Sequence, residues 1–291
     1  MPNFGTQILQ PGLEVIHTIS ALKMLLQSEK LARQKIALVP TMGALHKGHV
    51  SLVKIAQQNA DVVVCSIFVN PTQFTDPKDL EKYPRPLEHD IEMLQEAGCD
   101  FVFMPSVKEM YPGPENWHID LGNAEFLLEG AFRKGHYQGV TQIVNKLFTA
   151  VDPDLAFFGQ KDFQQVLMIR NMVAKLNMPV KIISCPIIRE DDGLAMSSRN
   201  IHLSASDRQN ALVLSRSLQF VKDNFDRYSI DELLKMATEM ISNTAGVNLD
   251  YFTIASGETL LPEQDKQTEN LVALVAAKVG ETRLIDNMIL N

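Results

Sequence analysis

The chain has 291 residues, 45% of them hydrophobic, with 35 acidic against 27 basic side chains and a formal net charge of -8. That length supports a substantial core in one large or two moderate domains, and the acidic balance argues against a nucleic-acid binder. No basic-then-apolar leader and no apolar run of about 18 residues is visible, so the expectation is a cytoplasmic protein without membrane association.

The first clear element is an apolar run over 36–39, read as a strand. It leads into Pro40-Thr41-Met42-Gly43-Ala44-Leu45-His46-Lys47-Gly48-His49, and helical apolar spacing follows over 49–58. Two imidazoles and two glycines therefore fall where a strand turns into a helix. Such a junction suits a nucleoside triphosphate: glycine permits close backbone approach, the helix start offers free N–H groups, and imidazole donates to phosphate oxygen. A capping role is the alternative for either histidine. Zinc is disfavoured because no third Cys or His lies near.

A strand over 62–69 runs into Phe68-Val69-Asn70-Pro71-Thr72-Gln73-Phe74. Asn70 and Gln73 each donate and accept, which suits a hydroxyl or carboxylate on a small substrate; a capped turn imposed by Pro71 is the alternative. A helix over 87–97, closed by Gly98, precedes a strand over 101–104. A helix over 139–150 precedes a strand over 155–158. Next comes Gly159-Gln160-Lys161-Asp162-Phe163-Gln164-Gln165. Lys161 would reach phosphate as a point charge. Asp162 would hold Mg²⁺ or a ribose hydroxyl, or cap the next helix, and Gln165 lies three residues on along the same helix side. That helix spans 163–176, ended by Asn177 and Pro179, and a strand over 180–185 follows. Apolar strands alternating with helices predict a parallel, doubly wound, Rossmann-like α/β sheet whose ligands bind beyond the strand C-termini. Cys65 and Cys185 lie in such strands; with Cys99 they lack ligand spacing and are expected reduced and buried.

After Pro186 the rhythm changes. Arg189-Glu190-Asp191-Asp192-Gly193-Leu194-Ala195-Met196-Ser197-Ser198-Arg199-Asn200 is polar. Ser197, Ser198 and Arg199 would clamp phosphoryl oxygens; a capped linker is the alternative. A covalent serine nucleophile is disfavoured because no Gly-x-Ser-x-Gly elbow exists. Helices over 205–224 and 230–241, then strands over 251–255, 271–278 and 282–285, predict a smaller C-terminal α+β domain. The expected division is 1–188 and 189–291, the second part covering the active site. The stretch 261–270 reads as a polar loop without chemistry.

Taken together with Tyr83-Pro84-Arg85, Gly135-His136, Gly139-Val140 and Gly280-Glu281-Thr282-Arg283-Leu284-Ile285-Asp286, these motifs closely resemble the pantoate–β-alanine ligase family, within the wider His-x-Gly-His nucleotidyltransferase superfamily. The resemblance implies ATP-dependent condensation of (R)-pantoate with β-alanine through pantoyl adenylate, giving pantothenate, AMP and diphosphate. It also implies Mg²⁺ with ATP and a homodimer formed through the N-terminal domain. It gives catalytic roles to His46, His49 and Lys161, with His49 at the family's proton-donor position. ATP contacts fall to Met42, Gly43, Ala44, Leu45, His46, Lys47, Gly48 and His49, then to Gly159, Gln160, Lys161, Asp162, Ile188, Met196, Ser197, Ser198 and Arg199. Gln73 and Gln165 match pantoate contacts, Gln73 lying beside the β-alanine position. No protein ligand for Mg²⁺ is implied. Lys134 stands where the family's Pro is expected, and His89-Asp90 lies where relatives often carry acidic or amide residues. Three alternatives remain open: a transferase that leaves the nucleotide on its product, an aminoacyl-tRNA-synthetase-like protein, and a non-enzymatic binding protein.

Overall fold

A computed structural model describes residues 6–10 and 12–291. The first half runs β1 (Thr6–Gln10), β2 (Leu13–Ile16), α1 (Ile19–Leu31), β3 (Ile36–Thr41), α2 (Lys47–Gln57), β4 (Val62–Ile67), α3 (Pro77–Lys82), α4 (Leu87–Ala97), β5 (Phe101–Phe103) and α5 (Val107–Met110). It continues with α6 (Glu129–Phe132), α7 (His136–Val151), β6 (Leu155–Gly159), α8 (Phe163–Lys175) and β7 (Lys181–Cys185). Then come α9 (Ala205–Asp223), α10 (Ile230–Ser242), β8 (Val247–Ser256), β9 (Leu271–Val279) and β10 (Thr282–Ile289).

Strands β1 to β7 form one sheet in the order β1-β2-β5-β4-β3-β6-β7. Ile36 and Leu38 of β3 enter a core shared with α1, α7 and α8, while Ala37 and Val39 enter a second core with α2 and α4. Burial on both faces is why the strand is apolar without interruption. From β3 the chain adds β4 and β5 on one side; β6 and β7 extend the other. Strand order therefore reverses between β3 and β6, and a crevice opens at their C-terminal ends.

The expected all-parallel sheet needs one correction: β1 pairs antiparallel with β2 at its edge. Strand β2 has only four residues, one of them Glu14, and lacks the apolar run that marks the other strands. Helix α1 also escaped the sequence pattern, because only Leu22 and Leu26 are buried on it. The short α3, α5 and α6 offer too few turns for periodicity to register.

The second sheet is antiparallel, in the order β10-β9-β8. Leu271, Ala273, Val275, Ala277 and Val279 of β9 face a core built with α9 and α10. Val272 and Leu274 point the other way and join the core of the large sheet, together with Ala255 and Leu260. The two parts are also linked by charge. Arg283 on β10 donates to Glu129 on α6 at 2.5 and 2.7 Å and to Asp250 at 2.7 Å, and Tyr251 donates to Glu129 at 3.0 Å.

Candidate active site

The loop after β3 turns sharply because Gly43 (φ 78°) and Ala44 (φ 50°) both adopt the left-handed region. Asp90, wholly buried on α4, accepts from the N–H groups of Ala44 (2.8 Å) and Leu45 (2.7 Å) and so pins the turn. A Cβ on Gly43 would lie 2.8 Å from an Asp90 oxygen, which is why the position carries none. Burial pushes the Asp90 carboxyl up from its ordinary range, against those two bonds.

The two histidines then cap α2 reciprocally. His46 Nδ1 accepts from the Gly48 N–H at 3.1 Å, and His49 Nδ1 accepts from the His46 N–H at 3.3 Å. Gly48 is required by the same contact, since a Cβ there would sit 2.8 Å from His46 Cε1. With each Nδ1 accepting, the neutral ring carries its proton on Nε2 and presents a donor. Burial, then the neighbouring Lys161 charge, lowers the His46 pKa to about 4. Burial, then His46 and Lys161, lowers that of His49 to about 3. The expectation of free helix-start amides is narrowed here: imidazole nitrogens occupy the amides of His46 and Gly48, the His49 N–H turns to His46 O, and each imidazole Nε2–H adds a donor for a ligand.

The 71–73 turn follows β4. Asn70 is 1% exposed and fully engaged: Nδ2 donates to Gly139 O and Gln73 Oε1, and Oδ1 accepts from Tyr111 and Thr72. It builds the turn and has no group to spare for a substrate. Gln73 differs, because its amide nitrogen meets only the Met42 sulfur, a weak acceptor, at 3.1 Å. Behind it, His136 Nδ1 donates to Gln73 O at 2.7 Å, and Arg133 donates to His136 Nε2 at 3.1 Å. Burial and then Arg133 hold the His136 pKa down at about 4.

Beyond β6, Asp162 precedes α8 without making a capping bond. The capping alternative for it thus falls away. The adjacent glutamines divide their work: Gln164 is buried and bonds Glu129 N, Ala124 O and Leu127 O, whereas Gln165 lines the crevice. The 188–200 segment folds back on itself through an Arg189–Ala195 bridge, with Gly193 (φ 94°) at its tip. Arg189 is held bidentately by Asp286 at 2.6 and 3.1 Å, and Ser197 Oγ accepts from the Arg199 N–H at 3.2 Å. Burial, then the nearby Arg199 guanidinium, lowers the Arg133 pKa. Both guanidiniums line the crevice, where they favour an anion.

Two adjoining cavities open here. The inner one, about 230 Å³, is lined by Met42, His46, Gly48, His49, Gln73, Gly159, Lys161, Asp162, Gln165, Ile188 and residues 196–199. The outer one, about 510 Å³, shares Lys161, Asp162, Gln165 and Ser197 to Arg199, and extends between the sheets to Arg283 and Asp286. Gly43, Ala44 and Leu45 lie buried behind the wall, Lys47 is exposed outside it, and the Gln160 side chain is turned to Asn287. Sequence reasoning did not see Arg133 and Asn287, and it noted Asp90 and His136 without giving either a role. One signal for Asp90 was present: it falls in the buried row with Leu94 and Ala97 on α4, a carboxylate on an apolar stripe.

A doubly wound sheet, two histidines at its switch point, and Lys161 and Arg199 on the loops beside them fit a nucleotide-activating enzyme of the His-x-Gly-His type. The chain matches the Pantoate-beta-alanine ligase family over residues 14–289. It is 47% identical over 277 residues to the pantothenate synthetase of Bacteroides thetaiotaomicron, covering 95% of this chain and 98% of that one. The crystal structure of pantothenate synthetase from Thermus thermophilus superposes with a TM-score of 0.89 at 42% identity, covering 95% of this chain and 99% of the other. The pantoate-beta-alanine ligase of Francisella tularensis, complexed with beta-gamma ATP and beta-alanine, gives 0.77 at 35% identity over 94% and 97% of the two chains. This chain belongs to the pantoate–β-alanine ligase family. It is an AMP-forming ligase that makes pantothenate from pantoate and β-alanine with ATP, which removes the transferase, synthetase-like and binding-protein alternatives. Among the described residues no helix is long and apolar enough to cross a membrane.

Proposed function

We propose that the ligase works through pantoyl adenylate, with chemistry shared between the two cavities. A pantoate carboxylate oxygen attacks the α-phosphorus of ATP and diphosphate leaves. The β-alanine amine then attacks the acyl carbon, loses a proton, and AMP departs. Activation is needed because oxide is a poor leaving group and AMP a competent one. The observation that carries this reading is the convergence of His46, His49, Gln73, Lys161 and Gln165 on the inner cavity. Gln73 and Gln165 bind pantoate, and β-alanine approaches beside Gln73. The Nε2–H groups of His46 and His49 and the Lys161 ammonium stabilise charge building on the departing diphosphate. The bonds at each Nδ1 support this reading, because they leave the Nε2–H of His46 and His49 free to donate. Ser197, Ser198 and Arg199 close over the phosphates, and residues 42–49, 159–162 and Ile188 cradle the nucleotide.

Among the described residues, no cluster of three His, Cys, Asp or Glu side chains could hold a metal. Asp162 is the carboxylate lining the inner cavity. One oxygen donor fits Mg²⁺ arriving with ATP, where it would neutralise phosphate charge. A division at 188/189, a cytoplasmic setting and a homodimer through the N-terminal part complete the proposal.

The test is a rapid-quench assay with and without β-alanine. One equivalent of diphosphate and an acid-trappable adenylate should form without β-alanine, and AMP and pantothenate should appear one to one with it. Diphosphate release that strictly requires β-alanine in a single turnover would rule the adenylate out.

A further inference from the structure

Asn287 stands on β10, only 2% exposed, and spends its amide on the loop that follows β6. Its Nδ2 donates to Gln160 O at 3.0 Å and to Lys161 O at 2.9 Å, while Oδ1 accepts from Gln160 Nε2 at 3.1 Å. Those two carbonyls belong to the peptide units on either side of the Lys161 Cα. Holding both planes fixes φ and ψ at Lys161, and with them the direction in which its side chain leaves the backbone. The loop itself is a single short 3₁₀ turn, Gln160–Asp162, with little structure of its own to resist rotation. The aim of a residue in the large sheet's loop is thus set by a side chain of the other sheet.

We infer that Asn287 is a positioning residue for the first half-reaction: it aims the Lys161 ammonium at the ATP phosphates by gripping the backbone on both sides of it. The inference rests on the reading of Lys161 given above. Asn287 also joins the two sheets, and a role confined to joining them would weaken folding and both half-reactions alike. An aiming role acts on ATP chemistry alone, and through Lys161 alone.

The experiment uses the full chain with Asn287→Ala, Lys161→Ala and the double variant, each checked for folding by urea titration. Single-turnover rates are measured for diphosphate release from ATP and pantoate, and separately for amide formation from supplied pantoyl adenylate and β-alanine. Asn287→Ala should slow the first step roughly 10–100-fold, as small misplacements of a catalytic group do. The second step should change by less than about threefold, and the double variant should be no slower than Lys161→Ala within about twofold. Equal slowing of both steps, or losses that multiply in the double variant, overturn the inference. So does a wild-type first step in Asn287→Ala while Lys161→Ala is slow. A wild-type first step in Lys161→Ala overturns the reading of Lys161 and this inference with it. Should Asn287→Ala not fold, Asn287→Asp, which sets an oxygen against the two carbonyls, and Gln160→Ala, which removes one of the three bonds, are held to the same outcomes.

Discussion

His46 and His49 cap their helix through Nδ1, and the nitrogen left over is the one proposed to meet phosphate. His49→Ala should therefore lower the rate of adenylate formation about 10²–10³-fold, as loss of a donor to developing charge does. The same change removes a cap and should cost about 1 kcal/mol in urea unfolding; a fast His49→Ala enzyme would contradict the role. The lowered pKa values of His46, His49 and His136 also carry a stability cost in acid. Below pH 6.5 the unfolded chain binds protons that the folded chain refuses, so stability falls as pH falls from about 6.5 towards 4. Each such histidine accounts for about 1 kcal/mol between about pH 6.5 and 5.5. Urea midpoints at the two pH values should show the drop, and His136→Gln should shrink it by about 1 kcal/mol. At this scale the sequence shows residues whose type announces chemistry beside glycine: His46, His49, Lys161. Asn70 and Gln73 look equivalent in the sequence, and only the bonds around them separate the builder of the turn from the free amide.

Elements hold these residues by close approach. Helix α7 lies so near the 71–73 turn that a Cβ on Gly139 would fall 2.3 Å from Thr72 O and 2.7 Å from Gln73 Cα. Gly139→Ala must push helix and turn apart, a strain of about 1–3 kcal/mol. Because Gln73 moves with the turn, the KM for pantoate should rise more than the KM for ATP, and steady-state titration of each substrate checks this. Equal KM values to wild type would show that the turn does not carry the pantoate contact. Three helices with a sustained apolar period were legible: α8, α9 and α10 begin where the pattern places them and end within a residue of it, whereas α7 begins three residues and β8 four residues before the expected starts at 139 and 251. Strand β2 and helix α1 were not, since neighbouring elements stabilise them more than their own pattern does.

Across the whole molecule, the joint between the sheets depends on groups far apart in sequence. Glu129 is 8% exposed and has Arg283 and Tyr251 as its partners. Arg283→Met would leave that carboxylate with one neutral donor. The loss should be about 2–3 kcal/mol, less than for a fully buried pair because the Arg283 side chain is partly exposed. Calorimetry should show a lower Tm, and adding Glu129→Gln should recover part of it. Strand order and the crevice it makes could not be read from alternation alone, which fixes the kind of sheet and leaves the position of its reversal open. The residues of β9 matter most at this scale. Because alternate side chains of one strand enter two different cores, neither sheet can melt without exposing an apolar strip of the other. Topology draws two units, whereas the packing shared through β9 should make them unfold as one. A solution of this enzyme in rising urea should pass from native to unfolded in a single step, with ATP-cleaving ability and both cores lost at the same concentration. A half-melted chain that still splits ATP but cannot finish the amide is thereby kept from accumulating.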